Sequence, residues 1–313
     1  MQSYQHTLRR RAALSGVGLH SGIAARIAIC PGDIGGGILF RRTDLKMAQS
    51  GSAADSAADR CEIRAAWDSI VGSHRGTTLA NAYGVSVATV EHLMAALAGC
   101  GVDNAVIEVD GPEIPILDGS AAPFVEAIEG AGVNPQTALR NYIQIAKPVA
   151  IRDGERWIKG EPAPLFQMAI SVEFEDAAIG AQSYCWPETG KSFRSELSLA
   201  RTFCSARDID ALRAAGLARG GSLQNAVVVD GGRVLNDDGL RYHDEFARHK
   251  ALDLLGDLYV GGAPIIGRIE AHRPGHDLNR RFLEALFETD GAVIRATSQQ
   301  SSEDGSELLR ETA

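Results

Sequence analysis

Apolar and polar positions alternate along the first forty residues. Ala24-Ala-Arg-Ile-Ala-Ile-Cys30 keeps a period near two and runs into the turn signal Pro31-Gly-Asp, so residues 4–43 read as strands joined by turns. Within them, Gly16-Val-Gly-Leu-His-Ser-Gly22 is a tight loop holding His20. From Val85 the period lengthens: a short strand and then a helix are predicted up to Ala98, followed by a strand at Ala105–Val109. Pro112–Phe124 is rich in turn residues and leads into a helix over 124–130. After a linking stretch, Ala138–Ala150, alternation resumes over Ile151–Gly160 and Phe166–Glu175. Helices are expected near Glu196–Thr202 and Ala206–Ala215, and a strand at Ala226–Asp230. The strongest helical stretch is Asp244–Asp257. Ala247, Ala251, Leu254, Leu255 and Leu258 share one side of its wheel, with Leu252 at the edge. Glu245, His249, Lys250, Asp253 and Asp257 fall largely on the other side, with Phe246 among them.

One pattern recurs. Glu91-His-Leu-Met-Ala-Ala-Leu-Ala-Gly99 precedes a strand, and Arg248-His-Lys-Ala-Leu-Asp-Leu-Leu-Gly256 precedes the strand-like Pro264–Glu270. In both, a His near the helix start is followed by Gly seven residues on. This predicts an α+β protein of two similar domains, residues 1–137 and 138–297, each a β-sheet layered with helices. The active site would lie at the seam, where His92 and His249 approach each other. Residues 47–59 are small and polar and read as a flexible loop, and 298–313 as a disordered tail.

Composition narrows the function classes. With 45% hydrophobic and 23% charged residues over 313, the chain has a soluble globular profile. A net charge of -9 gives no bulk electrostatic support for nucleic-acid binding, and an anionic substrate would need a local cluster of Lys and Arg. Cys30, Cys61, Cys100, Cys185 and Cys204 are odd in number and form no C-x-x-C, which fits free thiols in a reducing compartment. No signal-type h-region follows the N-terminal charges, and no apolar run could span a bilayer. A cytoplasmic protein without a transmembrane segment, working as a monomer, is expected.

The chemistry concentrates on the two helices. His249 and Asp253 are four apart and share a face, which suits one divalent metal, although a solvated charge pair is the plainer reading. Helix 90–98 is almost wholly apolar, and Glu91 and His92 are its only strongly polar members. Burying an unpaired carboxylate is costly, so a partner is expected. Glu91 points about 100° from His92 on the wheel, where it can reach a metal-held water better than the metal itself. Two His and one Asp leave a fourth zinc position open, the catalytic arrangement. No H-E-x-x-H occurs. His276, in the loop-like Arg273-Pro-Gly-His-Asp-Leu-Asn, is either a surface histidine or an imidazolium able to stabilise an oxyanion or protonate an amine, oriented by Asp257. Arg201-Thr-Phe203 is either a substrate contact or a helix end.

These segments, in order, resemble the UDP-3-O-acyl-N-acetylglucosamine deacetylases, the zinc amidases of lipid A biosynthesis. The match runs through Gly16–Gly22, Phe40-Arg-Arg-Thr-Asp, Thr89–Gly99, Asp103–Val109, Glu113–Phe124, Ala200-Arg-Thr-Phe, Arg233-Val-Leu-Asn, Phe246–Asp257 and Gly275-His-Asp-Leu-Asn. The resemblance implies that His92, His249 and Asp253 bind Zn2+, that Glu91 is the general base, and that His276, supported by Asp257, is the acid or electrostatic partner. It implies that Thr202 binds the oxyanion and that Lys250, Phe203 and Phe174 contact an amphiphilic sugar-nucleotide substrate, Phe174 by stacking on uracil. A hydrophobic acyl passage is implied as well. Two departures stand out: residues 46–60 look longer than the family's loop, and Glu175-Asp-Ala-Ala follows Phe174 where the family commonly has His-Pro. The rival readings are a silent sugar-nucleotide or lipid-binding protein on this scaffold, or a zinc amidase for another N-acetyl sugar.

Overall fold

The computed structural model describes residues 3–45, 59–72, 75–187 and 192–298. The expected polar insertion, up to residue 58, and the tail after residue 298 lie outside the described residues. Six helices are present among these residues: α1 (Glu91–Gly99), α2 (Ala122–Ala131), α3 (Phe193–Glu196), α4 (Ala206–Ala214), α5 (Glu245–Tyr259) and α6 (His276–Glu288).

Two five-stranded sheets carry the fold. The first runs in the order Ala12–Val17, Ala24–Pro31, Ala105–Asp110, Ile38–Arg42, Glu62–Arg64. The second runs Val149–Asp153, Arg156–Glu161, Arg268–His272, Gln167–Glu173, Ala181–Trp186. Their pairings match step for step. A hairpin lies at one edge, its second strand meets the late-arriving central strand antiparallel, and that strand runs parallel to the next. The last strand returns antiparallel. The helix that leads into each central strand is α1 or α5, and the helix that follows it is α2 or α6. The fold is therefore α+β with two similar halves.

Two expectations need correction. The helix near Glu196–Thr202 is α3, which ends at Glu196. Ser192 caps it in a reciprocal exchange with Ser195, so the turn begins early. Past it, the backbone N–H and Nε of Arg201 both donate to Glu245 Oε1, at 3.0 and 2.9 Å, which holds the chain out of a helix. The stretch Ala138–Ala150 is mostly strand rather than a link. Asn141–Ile145 pairs with Ile265–Ile266 and with Val293–Thr297, partners too distant in sequence for local patterning to reveal.

One hydrophobic core spans both halves, and α1 packs against α5 inside it. Gly256 permits that crossing, because a Cβ there would lie 2.0 Å from the carbonyl oxygen of Glu91. Gly99 has a related role: a Cβ at that position would meet the Phe193 ring at 2.2 Å. The Gly at the same offset in each helix is thus a packing residue. The crossing brings the first turn of α1 against the middle of α5.

Candidate active site

The polar side of α5 is buried. Glu245, His249, Asp253 and Asp257 are all 2% exposed or less, so the plainer expectation of a solvated face does not hold. Glu91 and His92 are buried as well. The imidazoles of His92 and His249 approach edge to face with centroids 5.0 Å apart. Asp253 Oδ1 faces both, 3.6 Å from His92 Nε2 and 3.3 Å from His249 Nε2. One donor atom from each of the three lies within 4.8 Å of the others.

These residues fit a metal ion. Asp253 Oδ1 is buried and accepts no hydrogen bond from any described residue. A buried carboxylate oxygen left so is costly unless something else occupies the space. His249 Nδ1 lies 3.0 Å from the carbonyl of Ala200. A carbonyl only accepts, so Nδ1 carries the hydrogen and the Nε2 lone pair points inward. Burial pushes the His249 imidazole down to about 3, although Asp253 pulls the other way, and a neutral ring is the form that ligates. Burial acts to raise Asp253, but the cationic neighbours Lys250 and His276 help to hold it well below the usual carboxylate range. Its other oxygen, Oδ2, accepts from Lys250 Nζ at 2.8 Å.

A second cluster adjoins the first. His276 is the first residue of α6, not a loop residue as its sequence context suggested. The preceding Pro-Gly masks the helix start, and Gly275 is its N-cap. His276 Nδ1 donates to Asp257 Oδ2 at 2.8 Å, and its Nε2 sits 3.8 Å from Glu91 Oε1 and 3.9 Å from Asp253 Oδ2. Burial would lower this imidazole, but Asp257, Glu91 and Asp253 outweigh it and push it up to about 10. Those carboxylates favour the imidazolium form. Burial pushes the Glu91 carboxyl up, against the opposing pull of His276 and His92. A carboxylate poised upward beside an imidazolium is the pairing used in general acid–base chemistry.

The remaining predicted residues lie on one flank. Phe203 makes edge-to-face contacts with Phe174, Phe246 and His249, at 5.5, 4.9 and 6.2 Å between centroids. Phe174 is 40% exposed, so an aromatic series leads from the surface to His249. Lys250 Nζ sits 5.5 Å over the Phe203 ring. Thr202 and Phe203 form part of the wall of a cavity of about 300 Å³, lined chiefly by apolar side chains that include Leu19, Ile209, Leu212, Leu223, Val228 and Leu235. Among the described residues, no hydrogen bond of the Thr202 hydroxyl ties it to His92, His249 or Asp253. Its backbone N–H donates to the carbonyl of Gly119 at 2.8 Å, and its own carbonyl accepts from Val227.

Several residues escaped sequence reasoning. Thr77 donates from its backbone N–H to Glu91 Oε2 at 2.9 Å and from Oγ1 to Asp257 Oδ1 at 2.6 Å. Nothing in Gly76-Thr-Thr-Leu signals that. Asn279 Nδ2 donates to Asp257 Oδ2 at 2.7 Å. Its spacing from His276, i to i+3 on a helix, is a usable signal once the helix start is placed correctly. The role of the Ala200 carbonyl has no side-chain signature.

The UDP-3-O-acyl N-acetylglycosamine deacetylase family model matches residues 5–288. The UDP-3-O-acyl-N-acetylglucosamine deacetylase of Phenylobacterium zucineum is 47% identical over 283 residues, covering 90% of this chain and 93% of that protein. The proteins of the same name from Shewanella frigidimarina and Shewanella pealeana are each 44% identical over 286 residues, covering 91% of this chain and 90% of theirs.

Proposed function

The chain belongs to the UDP-3-O-acyl N-acetylglycosamine deacetylase family, and on that premise we propose which of its residues perform the reaction. The protein is a hydrolase of lipid A biosynthesis that removes the N-acetyl group of UDP-3-O-acyl-N-acetylglucosamine as acetate. The observation that carries the residue assignment is the convergence of Glu91, His92, His249, Asp253, Asp257 and His276 from α1, α5 and α6 in one buried cluster. A silent binding protein has no use for so many buried carboxylates beside imidazoles, and that reading is not favoured.

His92, His249 and Asp253 hold the metal, which we take to be Zn2+; nitrogen, nitrogen and oxygen donors with one open position support that choice. When bound, such an ion polarises the acetamide carbonyl and acidifies water. Glu91 takes a proton from water as its oxygen adds to the carbonyl carbon. The Thr202 hydroxyl donates to the oxyanion. The C–N bond then breaks, and the amine takes a proton from His276 or from the Glu91 carboxyl, leaving acetate. Asp257 holds His276 by its Nδ1–H, so that Nε2 faces Glu91.

Lys250, Phe203 and Phe174 are the proposed substrate contacts, with Phe174 at the exposed end for the uracil ring. The apolar cavity beside Thr202 suits the acyl chain. The halves 1–137 and 138–297 act as two domains, and the site needs both. The five free cysteines support a reducing cytoplasm, and a monomer suffices because every residue named comes from one chain. No helix among the described residues is long and apolar enough to cross a membrane. The test is acetate release from UDP-N-acetylglucosamine with and without the 3-O-acyl chain, alongside metal analysis. Metal-dependent release that needs the acyl chain is expected. Equal rates on both substrates would favour another N-acetyl sugar.

A further inference from the structure

Glu91, on α1, and Asp257, on α5, are both buried, and each has one oxygen tied to the same residue. The backbone N–H of Thr77 donates to Glu91 Oε2 at 2.9 Å. The hydroxyl of Thr77 donates to Asp257 Oδ1 at 2.6 Å. The other oxygen of each carboxylate turns toward one imidazole, Glu91 Oε1 to His276 Nε2 at 3.8 Å and Asp257 Oδ2 to His276 Nδ1 at 2.8 Å. Thr77 is 1% exposed. Its neighbour Gly76 passes so close that a Cβ there would lie 3.1 Å from Glu91 Oε1. Residues 76–77 thus bridge Glu91 of α1 and Asp257 of α5.

From this arrangement we propose that Thr77 is a positioning residue, which sets the orientation of both carboxylates relative to His276. The proposal rests on the assignment of Glu91 and His276 given above. Without the hydroxyl, Asp257 keeps Asn279 and His276 on Oδ2 but loses the one partner that its Oδ1 has among the described residues. The carboxylate, held at Oδ2 alone, can then turn about that end, and His276 moves with it. Glu91 keeps its backbone tether, so the metal ligands beside it are not disturbed. Misplacement of an acid–base pair by a fraction of an ångström acts on the chemical step rather than on substrate binding.

The experiment uses the metal-loaded enzyme and compares Thr77→Val, Thr77→Ala and Thr77→Ser, with Glu91→Gln as a control. Thr77→Val and Thr77→Ala are expected to lower kcat roughly tenfold or more, with KM within about twofold and bound metal unchanged. Thr77→Ser keeps the hydroxyl and is expected to stay within about threefold of the parent kcat. In an Asp257→Asn background, Thr77→Val should add little, because its partner is already altered. Parental kcat in either hydroxyl-less variant, or a Ser variant as slow as those two, overturns the proposal. The Ser variant is mild enough to decide the matter if Thr77→Val does not fold. If Glu91→Gln also keeps parental kcat, the site assignment itself fails. If Glu91→Gln alone is slow, only the role of Thr77 fails.

Discussion

Gly256 of α5 lies against the backbone carbonyl of Glu91 on α1, so close that a Cβ would fall 2.0 Å from the oxygen. The packing of two helices and the assembly of the site are therefore one event, since Glu91 and His92 reach α5 only through this crossing. In an unconstrained helix, Gly→Ala would stabilise by about 1 kcal/mol. Here Gly256→Ala is expected to destabilise by about 1–3 kcal/mol, because the helices must part. Bound metal should fall as well, since His92 withdraws from His249. Thermal unfolding with metal analysis checks both. A variant as stable as the parent and fully metal-loaded would separate the helix crossing from the site.

Replacing His92, His249 or Asp253 with Ala should lower bound metal and activity together, with activity down on the order of 100-fold or more. Chelation of the parent enzyme should do the same, and adding Zn2+ back should restore it. Unchanged metal content in all three variants would remove these residues from the ligand set.

Much of this was legible in the sequence, and what was not has physical causes. The repeated spacing of His and Gly in α1 and α5 revealed the duplication because each Gly is held by close packing, Gly256 against the Glu91 carbonyl and Gly99 against the Phe193 ring. The His249–Asp253 pair was visible because i, i+4 neighbours share a face. Contacts made by backbone atoms were invisible. The Ala200 carbonyl on His249 and the Thr77 N–H on Glu91 carry no side-chain signature. The overlong helix expected at Glu196–Thr202 failed for a nonlocal reason, the burial of Arg201 against Glu245. Asn141–Ile145 is likewise a strand only because distant strands flank it.

Filling the apolar cavity should discriminate by substrate. Val228→Trp or Leu212→Trp should lower kcat/KM roughly tenfold for a substrate with a long 3-O-acyl chain. The rate on the non-acylated sugar nucleotide, itself expected to be low, should hardly change. Equal losses on both would place the chain elsewhere.

The pH profile should be bell-shaped, rising as Glu91 ionises and falling as His276 loses its proton. The sign on the alkaline side follows from the charges around His276. Burial alone would lower its pKa, but Asp257, Glu91 and Asp253 push it up to about 10, so the imidazolium is favoured well above the usual imidazole range. Asp257→Asn removes the largest of those raising charges and should shift the alkaline limb toward neutral pH. His276→Ala should move that limb outright. An alkaline limb identical in parent, Asp257→Asn and His276→Ala would assign it to another group.

The most direct test of the account is the rate of acetate release by Glu91→Gln, with its metal content measured on the same sample. Gln keeps the size of the side chain and an oxygen to accept from Thr77, but it cannot take a proton from water. The account predicts that kcat falls by about 100-fold or more, within the range typical of a general base, while bound metal stays at the parental level. Near-parental kcat in a fully metal-loaded Glu91→Gln enzyme would contradict it.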